Sequence, residues 1–207
     1  MGLGKQAKTL SKPQIKMLSE LLINTRYGLR DQTIFYFSVK SGLRAKEIAM
    51  LKWSMVMNSD GSVGDYLHLP NSSSKGKSGR IVPLNKDLKK SLISLLEQHR
   101  QLQDFEPQTS SIFRTERSHS TSAQAIVNMF QRWYKLFGLV GCSSHSGRRT
   151  FITETSKKIS TVGGSLRDIQ MMVGHSSLQT TQRYIEADSD SQRKVVDLMR
   201  VSDLLCM

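Results

Sequence analysis

Six residues along a chain of 207 have types and spacing suited to chemistry on a phosphate: Arg44, Lys75, His145, Arg148, His175 and Tyr184. His145 and Arg148 stand three apart, so on a helix they share one face. His175 and Tyr184 lie in VGHSSLQTTQRY, a stretch of small hydroxyl and amide residues with little apolar bulk. A core helix would carry more hydrophobic residues there, and a plain loop would not need the tyrosine. Two arginines, a lysine and two histidines can surround a phosphate, and a tyrosine can attack it.

The physics of that set is specific. Breaking a phosphodiester builds charge on the phosphoryl oxygens, and a guanidinium fork binds two of them at once. Two forks supply charge stabilisation without a metal. The leaving alkoxide needs a proton, and a lysine among cations gives one up more readily. A tyrosine hydroxyl is a weak nucleophile, so a nearby histidine must accept or share its proton. Each residue taken singly has an ordinary reading. Arg44 could be a solvated helix start, Lys75 with Lys77 and Arg80 an exposed basic hairpin tip, and His145 a helix N-cap. Arg148 and Arg149 could be surface charge or phosphate contacts, His175 a turn histidine, and Tyr184 a packing residue. Order and spacing must decide.

The elements that would position these residues are mostly helices. TLSKPQIKMLSELLINT carries a capping box, Ser11 with Gln14, and an apolar face of Ile15, Leu18 and Leu22. RDQTIFYFSVKSG has strand-like composition, but its length and the terminating Gly42 favour a helix. LRAKEIAMLKW predicts a helix with Ala45, Ile48 and Leu51 on one side. The following stretch to RIVPL alternates in short runs around an Asp60-Gly61 turn and a Ser-Gly-Lys tip, which predicts a small antiparallel sheet. NKDLKKSLISLLEQHR reads as a helix capped by Asn85, and the Ser-rich EPQTSSIFRTERSHSTSAQ as loop. AQAIVNMFQRWYKLFG places Ile126, Phe130, Trp133 and Phe137 on one stripe and ends at Gly138. A helix is expected from near His145, and a short one capped by Ser165 with Asp168 three residues on. Residues 188–207, with Val195, Leu198, Met199 and Leu205, suggest a terminal helix. The fold class is α+β, mainly helical, with a small antiparallel sheet in the N-terminal third.

Composition narrows the partner. Thirty Lys and Arg against seventeen Asp and Glu give a formal charge of +13, which points to a polyanion, nucleic acid foremost. The 38% hydrophobic content supports a packed core and argues against a disordered chain. Two cysteines, Cys142 and Cys206, make neither a disulfide framework nor a paired zinc motif, and a reducing compartment fits. No His-Glu-x-x-His or acidic cluster speaks for a catalytic metal. No apolar run approaches a membrane span and the N-terminus lacks a signal core, so an intracellular protein is expected.

The motifs, in order, resemble the tyrosine recombinase or phage integrase family from about Thr9 to Tyr184. SGLRAKEIAMLKW is similar to its first arginine box, SKGKSGRIVPL to its lysine-bearing hairpin, HSGRRTFIT to His-x-x-Arg, and MVGHSSLQTTQRY to the segment ending in the nucleophile. The resemblance implies that Arg44 and Arg148 clamp the scissile phosphate and that Lys75 protonates the leaving 5′ oxygen, with Lys77 the second candidate. It implies His145 as base and hydrogen-bond donor, His175 on a phosphate oxygen, Tyr184 forming a 3′-phosphotyrosyl link, and Glu47 holding the basic cluster in place. Lys77, Arg80, Arg149 and Arg183 are expected to contact DNA. No cofactor is expected. Family members commonly act as tetramers on two DNA sites, with the C-terminal helix docking on a neighbour or in cis, and accessory DNA-bending proteins are possible partners.

Three departures stand out. Gly147 replaces the usual bulky apolar residue before the arginine, at a cost of about 1 kcal/mol for a helical glycine. Arg149 follows Arg148 where histidine is common. The catalytic pattern also begins almost at once, so 1–207 is expected to be a single catalytic domain without a separate DNA-clamping domain, either a fragment or a natural single-domain member. The reading is a site-specific recombinase of bacterial, phage or mobile-element origin, in the cytoplasm with the DNA. Two alternatives are a type IB-like topoisomerase or resolvase, and a catalytically silent DNA-binding regulator on the same fold.

Overall fold

The computed structural model describes residues 7–71 and 79–184, together with Val196. Lys75, Lys77 and, but for Val196, the expected helix over 188–207 lie outside the described residues.

The first helix, α1 (Lys12–Ile23), begins as its sequence dictates. Gln14 N–H donates to Ser11 Oγ, and Ser11 N–H donates to the Gln14 side chain. The ambiguous stretch is helix α2 (Gly28–Ser41). Ile34, Phe35 and Phe37 are all fully buried because α1 and the later helices Lys86–Arg100 and Ser146–Lys158 cover it on several sides. A helix buried nearly all round shows no one-sided pattern, which is why its residues looked strand-like. Gly42 ends α2 in the left-handed region at φ 64°. A Cβ there would lie 2.6 Å from the Phe151 ring.

The next helix, α3 (Ala45–Ala49), is shorter than LRAKEIAMLKW suggested. Its continuation is taken over by pairing with a later segment: Trp53 N–H donates to Ser110 O and Ile112 N–H to Leu51 O. A 3₁₀ turn at Trp53–Met55 follows. The expected sheet is an antiparallel pair, β1 (Tyr66–Leu69) and β2 (Arg80–Pro83), in register from Tyr66 opposite Pro83 to Leu69 opposite Arg80. Leu67, Leu69 and Val82 face the core.

Helix α4 (Lys86–Arg100) is capped by the Asn85 side chain, and α5 (Ala123–Leu136) by Ser122. Ile126, Phe130 and Trp133 of the predicted stripe are buried; Phe137 packs at its edge. The Ser-rich segment between them is irregular, as expected, yet Ile112 and Phe113 within it are fully buried. Phe113 meets the Phe37 ring edge-on at 5.9 Å. Beyond α5 come α6 (Ser146–Lys158), α7 (Leu166–Val173) and α8 (Leu178–Gln182). The predicted Ser165–Asp168 capping box opens α7. Ile152, Ile169 and Val173 form a small second core, against which Phe151 and Tyr184 pack. Among the described residues, no helix is long and apolar enough to cross a membrane.

Candidate active site

Glu47 is the hub of the basic cluster. Its side chain is 2% exposed, on the inward face of α3. One oxygen accepts from Arg44 Nη1 at 3.2 Å and from Arg80 Nη1 at 2.9 Å, and the other from the Arg44 backbone N–H at 2.8 Å. Burial pushes the carboxyl up, but the hydrogen bond and charge of Arg80 and those of Arg44 outweigh it and hold the group below its ordinary value. Glu47 is therefore hydrogen-bonded to two guanidiniums at once.

Arg80 departs from expectation. The sequence suggested an outward DNA contact, but its side chain is only 6% exposed. Besides Glu47 it donates from Nε to Met172 O at 2.7 Å, tying β2 to the end of α7. The cause is strand alternation: Val82 faces the core, and Arg80, two residues earlier, shares its face. That signal was present in RIVPL. Gly174, with φ 64°, permits the packing, since a Cβ there would sit 2.8 Å from Arg80 Nη1.

Arg148 sits on the first turn of α6 and is 4% exposed. Its two Nη atoms donate to Gly42 O at 2.6 Å and Val173 O at 2.8 Å, which are the carbonyls beside two left-handed helix ends. These anchors fix the guanidinium plane and leave further N–H groups of the fork for a ligand. Burial and the neighbouring Arg44 push its pKa down to about 9, so it is still charged at neutral pH. α6 approaches α2 closely at Gly147, where an added Cβ would meet Ser38 Oγ at 2.2 Å and Ser38 Cβ at 2.9 Å. The unusual glycine is thus explained by close helix contact.

His145 occupies the N-cap position of α6, but its side chain makes no capping hydrogen bond, and the residue is exposed. His175 follows α7. Its backbone is clamped by Gln170, which accepts from His175 N–H at 3.1 Å and donates from its side chain to His175 O at 3.0 Å. Burial, then Arg148, Arg44 and Arg80, push the ring down to about 4, so it is neutral at physiological pH. Its Nδ1 lies 3.0 Å from Thr181 Oγ1. The His175 and Tyr184 rings stack, with centroids 5.9 Å apart and planes 19° apart. The Arg149 guanidinium lies 6.0 Å from the Tyr184 ring centroid.

The chain ahead of α1 also belongs to this region. Lys8 N–H donates to Gly141 O, Arg149 Nη1 to Ala7 O, and Leu10 N–H to Thr150 Oγ1, so residues 7–10 form a strap along α6. Ala7, Arg44, His145, Arg148, His175 and Tyr184 line a single cleft of about 490 Å³, with Arg149 and Arg183 on its wall. Five of the six sequence-selected residues therefore converge, and Lys75, the sixth, lies outside the described residues. Thr181 and the bracing role of Arg80 were not foreseen.

The family model described as "Phage integrase family" matches residues 8–191. The tyrosine recombinase XerC of Shewanella sp. (strain ANA-3) is 29% identical over 198 residues, covering 93% of this chain and 62% of the relative. The tyrosine recombinase XerD of Ralstonia nicotianae is 28% identical over 179 residues, covering 86% of this chain and 55% of the relative. The chain thus spans less than two thirds of the length of these curated relatives. Among solved structures, XerA recombinase superposes with a TM-score of 0.73 at 24% identity, over 93% of this chain and 65% of its own. XerH site-specific recombinase, solved bound to a palindromic difH substrate in a post-cleavage complex, gives 0.70 at 18% identity, over 92% of this chain and 52% of its own. These structural likenesses establish the fold as that of a tyrosine recombinase catalytic domain.

Proposed function

Because the chain belongs to the phage integrase family, we propose that it cuts and rejoins DNA strands in site-specific recombination through a 3′-phosphotyrosyl intermediate. The observation that carries this reading is the cleft itself. Arg44, His145, Arg148, His175 and Tyr184 come from separate parts of the chain and line one cavity. A phosphodiester there meets two guanidiniums that Glu47 and two backbone carbonyls hold in place before the substrate arrives. Tyr184 Oη attacks the scissile phosphorus and His145 takes the phenolic proton. The 5′ oxygen leaves with a proton from Lys75, with Lys77 the second candidate; both assignments rest on the family resemblance. The phosphotyrosyl bond retains the energy of the bond it replaces, so a 5′ hydroxyl from another strand can reverse the step without ATP. The +13 charge, and the exposed Arg183 on the cleft wall, suit a DNA backbone running past the site. DNA is the partner in this reading, and the acting form is a tetramer on paired sites.

The test is covalent trapping in EDTA, using a pool of nicked duplexes with randomised flanks. Protein-linked DNA is recovered under denaturing conditions and sequenced. Wild-type protein is expected to capture a defined sequence, and Tyr184→Phe to lose the adduct while still binding the recovered duplex. An adduct that forms only with added divalent metal overturns the mechanism. Relaxation of supercoiled plasmid with no sequence preference moves the assignment to a topoisomerase, and the absence of any adduct moves it to a silent regulator.

A further inference from the structure

We propose that Thr181 is a positioning residue: its hydroxyl donates to His175 Nδ1 and so presents Nε2–H to the phosphate cleft. The inference rests on His175 as the group that holds a phosphate oxygen. Thr181 is fully buried on α8, three residues before the nucleophile. Its Oγ1 lies 3.0 Å from His175 Nδ1, the hydroxyl's one hydrogen-bond partner among the described residues. A buried hydroxyl that only accepted would leave its own proton without a partner, which is unfavourable away from water. The hydroxyl therefore donates and Nδ1 accepts. Since an imidazole with an accepting Nδ1 carries its proton on Nε2, the donor to an anion is settled before DNA arrives. The low proton affinity of the ring agrees with this, because a neutral ring has one N–H to place.

Thr181 also joins the two halves of the reaction. Its carbonyl accepts from Tyr184 N–H at 3.1 Å, while its side chain holds the His175 ring. Gln170 fixes the His175 backbone at the other end. The ring that holds the phosphate and the backbone that carries the nucleophile thus share one buried residue. A serine would keep both contacts; a valine of the same shape would keep only the carbonyl.

Two measurements on the full chain test this. Ring-nitrogen NMR shifts on the DNA-free protein at neutral pH read the His175 tautomer directly. The wild type and Thr181→Ser are expected to show Nε2–H, and Thr181→Val a mixture. In single-turnover trapping, Thr181→Val is expected to slow adduct formation by on the order of 10²-fold, as a misplaced reacting group does. Duplex affinity should change by less than about threefold, and Thr181→Ser should stay within about threefold of wild type in rate. A wild-type ring protonated on Nδ1, or a valine variant as fast as wild type, overturns the proposal. If the wild type traps no DNA, the recombinase reading falls, while the tautomer measurement still decides what Thr181 does. If the valine variant does not fold, the wild-type tautomer and the serine rate remain decisive.

Discussion

Replacing Gly147 by alanine sets helix propensity against a close helix contact beside the cleft. Propensity alone favours alanine by about 1 kcal/mol. The geometry opposes it, because the new Cβ would lie 2.2 Å from Ser38 Oγ, 2.9 Å from Ser38 Cβ and 3.0 Å from Val39 Cγ1. The first clash can be relieved: Ser38 Oγ is buried without a hydrogen-bond partner, so the hydroxyl can turn away. The two carbon contacts cannot. Ordinary carbon contacts need about 3.5–4.0 Å, so α2 and α6 must part by roughly 0.5–1 Å. Overpacking of this kind costs about 1–3 kcal/mol, which leaves a net destabilisation of about 0–2 kcal/mol. The effect on rate is larger. The next residue, Arg148, is anchored on Gly42 O at the end of α2, so parting the helices pulls the guanidinium from its seat. A displacement near 1 Å costs on the order of 10²-fold in rate. The assay pairs denaturant unfolding with single-turnover DNA trapping. An alanine variant about 1 kcal/mol more stable than wild type, and as fast, would refute the reasoning.

Other perturbations follow from the same geometry. Glu47→Gln removes the charge from a carboxylate 2% exposed and leaves Arg80 buried beside a neutral group; a loss of about 3 kcal/mol in urea unfolding is expected, with trapping lost as well. Gly174→Ala places a side chain at φ 64° and against Arg80 Nη1, so the melting temperature should fall and both His175-dependent and Arg80-dependent contacts should loosen; an unchanged melting temperature speaks against the packing. His99 is pushed down to about 4, first by burial and then by Arg114, from a usual value of 6.5. Between those values the unfolded chain binds a proton that the folded chain refuses, so stability is full above about pH 6.5 and declines as pH falls toward 4. The contribution, trimmed for solvent screening, is on the order of 2 kcal/mol, and unfolding curves of His99→Gln should lack that slope.

The motif order and most elements were legible because their signals are local. Ser11 with Gln14, Asn85, and Ser165 with Asp168 cap helices within three residues of themselves, so spacing alone identified them. The residues that the resemblance singled out could be named from motif order, and five of the six, all but Lys75, line one cleft. What was illegible depends on distant partners. Arg80 reads as hairpin charge until Glu47, 33 residues earlier, is seen beside it. Ile112 and Phe113 look like loop residues amid Ser, Thr and Arg, because their partners Leu51 and Phe37 lie far upstream. The end of α3 was misplaced for the same reason, since backbone pairing with 110–112 competes with helix continuation after Met50. Thr181 was hidden in a polar run whose other members, Gln179, Thr180 and Gln182, are exposed.

The strap at residues 7–10 makes the start of the described chain a handle on the reaction. Ala7 lies at the rim of the cleft, one hydrogen bond away from the arginine that lies over the Tyr184 ring. Cargo fused there does not hang idle at a remote end. If the proposed reaction holds, a load on Ala7 is expected to disturb Arg149, and a dye attached at Ala7 to report DNA entering the cleft.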